Sequence, residues 1–156
     1  EIAKIIPYSI LTLSPEKFNT LKNNEDNLNY VKALLHNNTI NSILKKIENC
    51  KCEAILVDAF TTEKKYFKYL ENAKNVNHNV TLIEQGENAH YAVAAASILA
   101  KVSRDRYMEE MAVQYPEYEF HKHKGYPTKA HYQAIAQYGI TEEYRKSLLK
   151  TLSKHT

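Results

Sequence analysis

Two aspartates in this chain have the setting for metal chemistry. Asp58 closes the apolar run Ala54-Ile55-Leu56-Val57. An acid at the carboxyl end of a buried strand lies where open α/β sheets bind their ligands, although the same position also suits a plain turn or cap residue. Asp105 follows Lys101 and Arg104 and precedes Arg106, so an i, i+4 ion pair with Lys101 is one reading of it. The other reading is that the two carboxylates, far apart in sequence, converge on a divalent cation. Mg²⁺ prefers carboxylate oxygens and keeps several waters, so two protein ligands and a substrate phosphate make a reasonable shell. Two-metal phosphodiester hydrolysis requires more carboxylates than these two.

A second chemical feature runs from Phe120 to His131, a stretch with three lysines, three histidines and no carboxylate. Gly125 and Pro127 fix a turn that holds Tyr126 between them. Lys124 beside it can contact phosphate, and an exposed tyrosine can stack on a sugar or base. A solvated basic loop is the simpler alternative. The histidines lack the spaced partners of a zinc site. Arg145 and Lys146, further on, either extend the basic surface or are merely solvated. Ser97 and Ser103 have no nucleophile-elbow setting, and Cys50 and Cys52 sit in no Cys/His framework. With three glycines in the chain, a glycine-rich phosphate cradle is nearly excluded.

The elements that must position these residues alternate between strand and helix. Residues 5–13 are rich in β-branched and aromatic side chains and predict a strand. Ser14-Pro15-Glu16 then starts a short helix over 15–22, with a capping hydroxyl, a proline in first position and an acid in the first turn. Asn-rich stretches at 23–29 and 72–79 predict loops. Apolar residues from Leu28 to Ile47 recur at helical spacing and predict one long amphipathic helix over 28–48. Residues 54–57 predict a strand buried on both faces, Thr61-Thr62-Glu63 opens another helix, and 80–83 predict a second strand. Residues 89–112 predict a long helix whose small residues, Ala92 to Ser97, allow close approach to a sheet or helix. Thr128 and Thr141 mark the starts of helices at 129–138 and 144–152. The pattern is an α/β fold with a sheet at least partly parallel and a helical C-terminal end.

Composition sets the outer bounds. The 156 residues, 44% hydrophobic and 25% charged, suit one globular domain or a large part of one. The formal net charge of +3 permits a nucleic-acid partner without requiring one. Two cysteines separated by one residue rarely form a disulfide, which suits reduced thiols in a cytoplasmic protein. No stretch is long enough to span a membrane, and no signal peptide is visible.

The run from Ala94 to Met108, Ala-Ala-Ala-Ser-Ile-Leu-Ala-Lys-Val-Ser-Arg-Asp-Arg-Tyr-Met, closely resembles the helix motif of the type 2 ribonucleases H. His123-Lys124-Gly125-Tyr126-Pro127-Thr128-Lys129-Ala130-His131 resembles their C-terminal motif, and Tyr144-Arg145-Lys146-Ser147 is similar to the Arg-x-Ser that follows it. Ile55 to Phe60, with Ser14-Pro15-Glu16 and the long helix, looks more like the ribonuclease HIII branch, whereas His-Lys-Gly-Tyr looks like ribonuclease HII. The resemblance implies a ribonuclease H-like mixed sheet flanked by helices. It also implies hydrolysis of the RNA strand of RNA/DNA hybrids with Mg²⁺ or Mn²⁺. It matches Asp58 and Asp105 to metal-binding catalytic carboxylates and Tyr126 to the tyrosine that contacts the sugar at an RNA–DNA junction in the ribonuclease HII branch. By position Lys101, Lys124, Gly125 and Arg145 join the substrate-binding set.

One departure is large. The family's first strand carries an Asp-Glu pair in an Asp-Glu-x-Gly-x-Gly setting that supplies two of its four catalytic carboxylates. Here the only such adjacency is Glu25-Asp26, in a polar stretch without glycines. The expectation is therefore a single partial catalytic domain, resembling the C-terminal two-thirds of the family's, inactive alone and completed by an upstream segment or another chain. The alternative function is a non-catalytic nucleic-acid-binding module of the same fold.

Overall fold

The computed structural model describes residues 1–24 and 28–142. Arg145 and the helix expected at 144–152 lie outside the described residues, as does the Glu25-Asp26 pair. The chain divides into two compact units, residues 1–12 with 21–99, and residues 13–20 with 100–156.

The first unit contains the sheet. Helix α1 is a single turn, Ile2–Ile5. After α2 (Pro15–Asn24), whose second half belongs to this unit, comes the long α3 (Leu28–Lys46). Strand β1 (Ile55–Asp58) is followed by α4 (Glu63–Tyr69), opened by Thr62, and then by β2 (Val80–Ile83). Among the described residues β1 and β2 form one parallel pair, with Ile55 opposite Val80 and Asp58 opposite Ile83. Residues Val57 and Ile55, on one face by the two-residue strand period, join a core of Ala33, Ile40, Tyr66, Leu70 and Val80. Tyr66 and Ala33 are completely inaccessible. Buried Asn37 reaches out of α3 to the Lys74 carbonyl at 3.3 Å, and Asn41 donates to the Asn75 carbonyl at 3.0 Å. These bonds pin the Asn-rich loop before β2, where Asn75 takes a left-handed φ of 55° that asparagine tolerates.

Two expectations fail in this unit. The strand expected at 5–13 does not form; residues 7–14 have no regular structure. Strand propensity is expressed only against a ladder partner, and these residues hydrogen-bond to side chains of α3 instead. Lys46 Nζ donates to the Tyr8 carbonyl at 2.6 Å, and Ser9 Oγ to Ser42 Oγ at 2.8 Å. The segment leaves Ile5 78% exposed and Ile6, Tyr8, Ile10 and Leu11 exposed as well. Nor is β1 buried on both faces: Val57 is buried, Ile55 and Leu56 are half-buried, and Asp58 is exposed. A strand with one neighbour among the described residues reads as continuously apolar without being enclosed.

The second unit is helical. Ser14 opens α2 as expected, its Oγ accepting from the Lys17 amide and its carbonyl from Phe18. Helix α6 (Tyr91–Gln114) belongs to the first unit up to Leu99 and to the second from Ala100. It leads to a 3₁₀ turn (Pro116–Tyr118), the single turn α7 (Phe120–His123) and α8 (Lys129–Tyr138). Thr128 caps α8, its Oγ1 accepting from the His131 amide at 3.3 Å. Met108, Met111, Tyr118, Phe120, Ala134 and Ile135 form this unit's core. Along α6 the small residues do not all meet a neighbour. Val93 is buried, whereas Ala96, Ser97 and Ile98 are exposed.

Candidate active site

Asp58 belongs to the first unit, and a backbone amide fixes it. The turn after β2 carries Gln85 at a left-handed φ of 51° and continues into the short helix α5 (Gly86–Ala89). The Gly86 amide donates to Asp58 Oδ1 at 2.8 Å. A methyl group at Gly86 would come within 3.0 Å of Val93 Cγ1 and 3.2 Å of Asp58 Oδ1, so glycine is what allows the amide this close. The second carboxylate oxygen, Oδ2, takes no partner among the described residues. An exposed carboxylate fixed at one oxygen by an N–H is a donor suited to a hard cation.

Around it, α3 contributes a residue the sequence reading passed over. His36 packs edge-on against Phe60, ring centroids 5.1 Å apart, and Lys32 Nζ lies 5.4 Å from the same ring. Burial pushes the His36 pKa down and the Lys32 ammonium adds to this, while the Asp58 carboxylate opposes both. The helical spacing of Lys32 and His36 was the available signal, but it was absorbed into an amphipathic pattern.

Asp105 belongs to the second unit. Its Oδ2 meets Lys101 Nζ at 3.3 Å, so the i, i+4 ion pair that the spacing allows is present. Lys124 is also paired, its Nζ 2.7 Å from Glu109 Oε1. The stretch that contains no carboxylate in sequence thus meets two in space, because Lys122 pairs with Glu119 on its own turn. Arg104 Nη2 donates to the Lys124 carbonyl at 3.3 Å. Gly125 has a φ of +76°, and a methyl group there would lie 3.1 Å from both Arg104 Nη2 and Met108 Cε. The turn therefore sits directly on α6. It presents Tyr126 to solvent, with 61% of that residue exposed.

The histidines of this segment are not loop residues. His123 and His131 are buried, and their rings stack with centroids 4.3 Å apart and planes 17° from parallel. Only His121 remains in water. Among the described residues no group of three or more His, Cys, Asp or Glu side chains could hold a metal ion. Lys101 and Asp105 are brought together, as are Lys124, Gly125 and Tyr126; Arg145 is outside the described residues. Cys50 and Cys52 are free and exposed. No described helix is long and apolar enough to cross a membrane.

Solved ribonuclease HIII structures share this fold. The Q54A mutant of Bst-RNase HIII superposes with a TM-score of 0.72 at 24% identity, covering 88% of this chain and 45% of that one. Bst-RNase HIII in complex with Mn²⁺ superposes with a TM-score of 0.67 at 22% identity, covering 92% and 50%. The fold is thus that of the type 2 ribonucleases H. At the sequence level the family model described as Ribonuclease HII matches residues 1–154, and the chain belongs to that family. Ribonuclease HIII of Bacillus mycoides is 45% identical over 117 residues, 72% of this chain and 38% of the relative. Ribonuclease HII of Shewanella piezotolerans is 63% identical over 65 residues, 42% of this chain and 32% of the relative. The chain spans less than half the length of these relatives.

Proposed function

We propose that this chain is the C-terminal part of a single ribonuclease H catalytic domain that hydrolyses the RNA strand of RNA/DNA hybrids. The observation that carries the proposal is Asp58, an exposed carboxylate at the carboxyl end of a parallel strand, with one oxygen fixed by the Gly86 amide. In this reading Asp58 and Asp105 hold Mg²⁺ or Mn²⁺, with the carboxylates of an upstream segment or a completing chain. The Mn²⁺ complex of a solved ribonuclease HIII supports a divalent cation. Bound there, the metal supplies activation of water and charge stabilisation at the departing 3′ oxygen.

The chain's own residues bind and orient the substrate. Gly86 keeps the Asp58 carboxylate in one rotamer, so its free oxygen has a fixed direction before any ligand arrives. Tyr126 meets the sugar at the scissile junction, and Gly125 lets its turn lie close to α6. Lys101 and Lys124 exchange their carboxylate partners for phosphates, and Arg145 adds a further phosphate contact. The exposed Ile5, Ile6, Tyr8, Ile10 and Leu11 are the surface on which the upstream strands would pack. Exposed, free Cys50 and Cys52 suit a cytoplasmic enzyme.

The test is cleavage of a labelled RNA/DNA hybrid with Mg²⁺ and with Mn²⁺, by this chain alone and by the full-length product of its coding sequence. Cleavage by the full-length protein, lost in Asp58→Asn, is the expected result. Hybrid binding without cleavage in the full-length protein would replace the proposal with the non-catalytic binding module.

A further inference from the structure

We propose that His131, with His123 stacked on it, is the positioning residue of the Tyr126 turn, and that the two imidazoles do this in their neutral forms. His131 Nδ1 lies 2.9 Å from the Tyr126 carbonyl. A carbonyl only accepts, so Nδ1 must carry the hydrogen. On the other ring, Nε2 of His123 lies 2.8 Å from the Tyr118 carbonyl and must donate to it. Its Nδ1 lies 3.2 Å from the Gly125 amide and must accept from it. One nitrogen donating and the other accepting defines a single neutral tautomer. A proton added at Nδ1 would turn the Gly125 bond into an encounter of two donors.

The pair thus grips the two residues of the turn from below, Gly125 through His123 and Tyr126 through His131. Stacking two rings 4.3 Å apart adds a second reason for neutrality, since two imidazoliums at that separation repel. Phe120 packs edge-on against both rings, at 5.8 Å from each. Among the described residues, titratable Tyr132 from α8 stacks 6.5 Å from His131, and the Tyr118 ring stacks on Phe120 beside the pair. From α6 the charged Arg104 reaches the adjoining Lys124 carbonyl. Burial lowers the His131 pKa, the Tyr126 carbonyl opposes this, and His123 adds to the lowering.

This inference rests on the reading that Tyr126 contacts the hybrid, and the test separates the two. In the full-length protein carrying Asp58→Asn to stop turnover, affinity for a labelled RNA/DNA hybrid is measured with Tyr126→Ala, His131→Phe, His131→Asn and the double variant Tyr126→Ala/His131→Phe. His131→Phe keeps a planar ring but loses the donor, and His131→Asn returns a donor near the Nδ1 position. The expected result is a loss of about five- to tenfold for His131→Phe, largely recovered in His131→Asn. The double variant should bind no more weakly than Tyr126→Ala alone. Additive losses, or unchanged binding in His131→Phe when Tyr126→Ala is impaired, would overturn the positioning role only. Unchanged binding in Tyr126→Ala would remove both that role and the reading of Tyr126. Hydrogen exchange in the unsubstituted protein tests the same claim if a variant fails to fold. After correction for intrinsic exchange, the Gly125 amide should be protected, because His123 Nδ1 accepts from it. A Gly125 amide that exchanges at its intrinsic rate overturns it.

Discussion

Asp58 and Tyr126 are exposed residues whose usefulness depends on being held still, and the two units hold them by different means. In the sheet unit a backbone amide grips the Asp58 carboxylate. In the helical unit two stacked imidazoles grip the turn that carries Tyr126. The first clamp is made possible by the missing side chain of Gly86, the second by the left-handed backbone of Gly125. The difference teaches that two clamps can share a task and still respond differently to substitution.

The largest effect should come from removing charge at the first clamp without disturbing it. Asp58→Asn keeps an oxygen for the Gly86 amide, so the melting temperature should hardly move. Cleavage of hybrid by the full-length protein should fall by about ten-thousandfold. Retained cleavage at near-normal rate would remove Asp58 from the chemistry and leave it a turn residue. Next in size is the floor beneath that clamp. Tyr66 is inaccessible in the core that takes up Val57, one residue before Asp58. Tyr66→Ala should cost about 3–5 kcal/mol of stability, measured by urea unfolding.

The two glycines separate the clamps more finely. Gly86→Ala forces a methyl group against Val93 and Asp58, and overpacking of this kind costs about 1–3 kcal/mol. Gly125→Ala adds the strain of a positive φ to its close approach to Met108 and Arg104, at a similar cost of about 1–2 kcal/mol. Their functional signatures should differ. Gly86→Ala should raise the Mn²⁺ concentration needed for cleavage, whereas Gly125→Ala should weaken hybrid binding and leave the metal requirement alone. Titrations of metal and of hybrid on both variants check this, and identical signatures would dissolve the distinction.

Acid should act on the second clamp through His131. Burial holds the folded-state pKa of His131 below its ordinary value of 6.5. The unfolded chain therefore binds the proton more readily, and stability rises with pH wherever the two states differ. The His131 contribution is fully present above 6.5 and is lost as pH falls from there through the depressed folded value. Urea unfolding across that range should show an acid-side decline that is reduced in His131→Phe.

Much of this was legible in the residues, and what was not has a physical reason. Both strands and the helices over Leu28–Lys46, Glu63–Tyr69 and Lys129–Tyr138 follow from apolar spacing and from Ser, Thr and Pro at helix starts. The expected strand at 5–13 failed because propensity does not supply a ladder partner. Asp58 was legible as a strand-end acid, but its clamp was not, since Gly86 is 28 residues away and a glycine announces only the space it leaves. The charge of the Tyr126 segment was misread because Glu109 comes from α6, 15 residues before Lys124. His123 and His131 counted as basic residues in sequence. Folding buries both and sets them against the backbone of the turn.

The smallest effect concerns the cation beside Asp105. Lys101 is 70% exposed along its side chain, and an i, i+4 pair of that kind contributes little. Lys101→Ala should therefore change the unfolding free energy by no more than about 0.5 kcal/mol. If Lys101 leaves Asp105 for a phosphate when hybrid binds, the same variant should lower the slope of log affinity against log salt by about one. It should do so with equal loss for different hybrid sequences, because a phosphate contact carries no base information. An unchanged salt slope would assign Lys101 to Asp105 alone. That outcome would leave Lys124, only 23% exposed in its pair with Glu109, as the lysine to test next. Its release costs a better-formed ion pair, so a phosphate contact there must compensate for more.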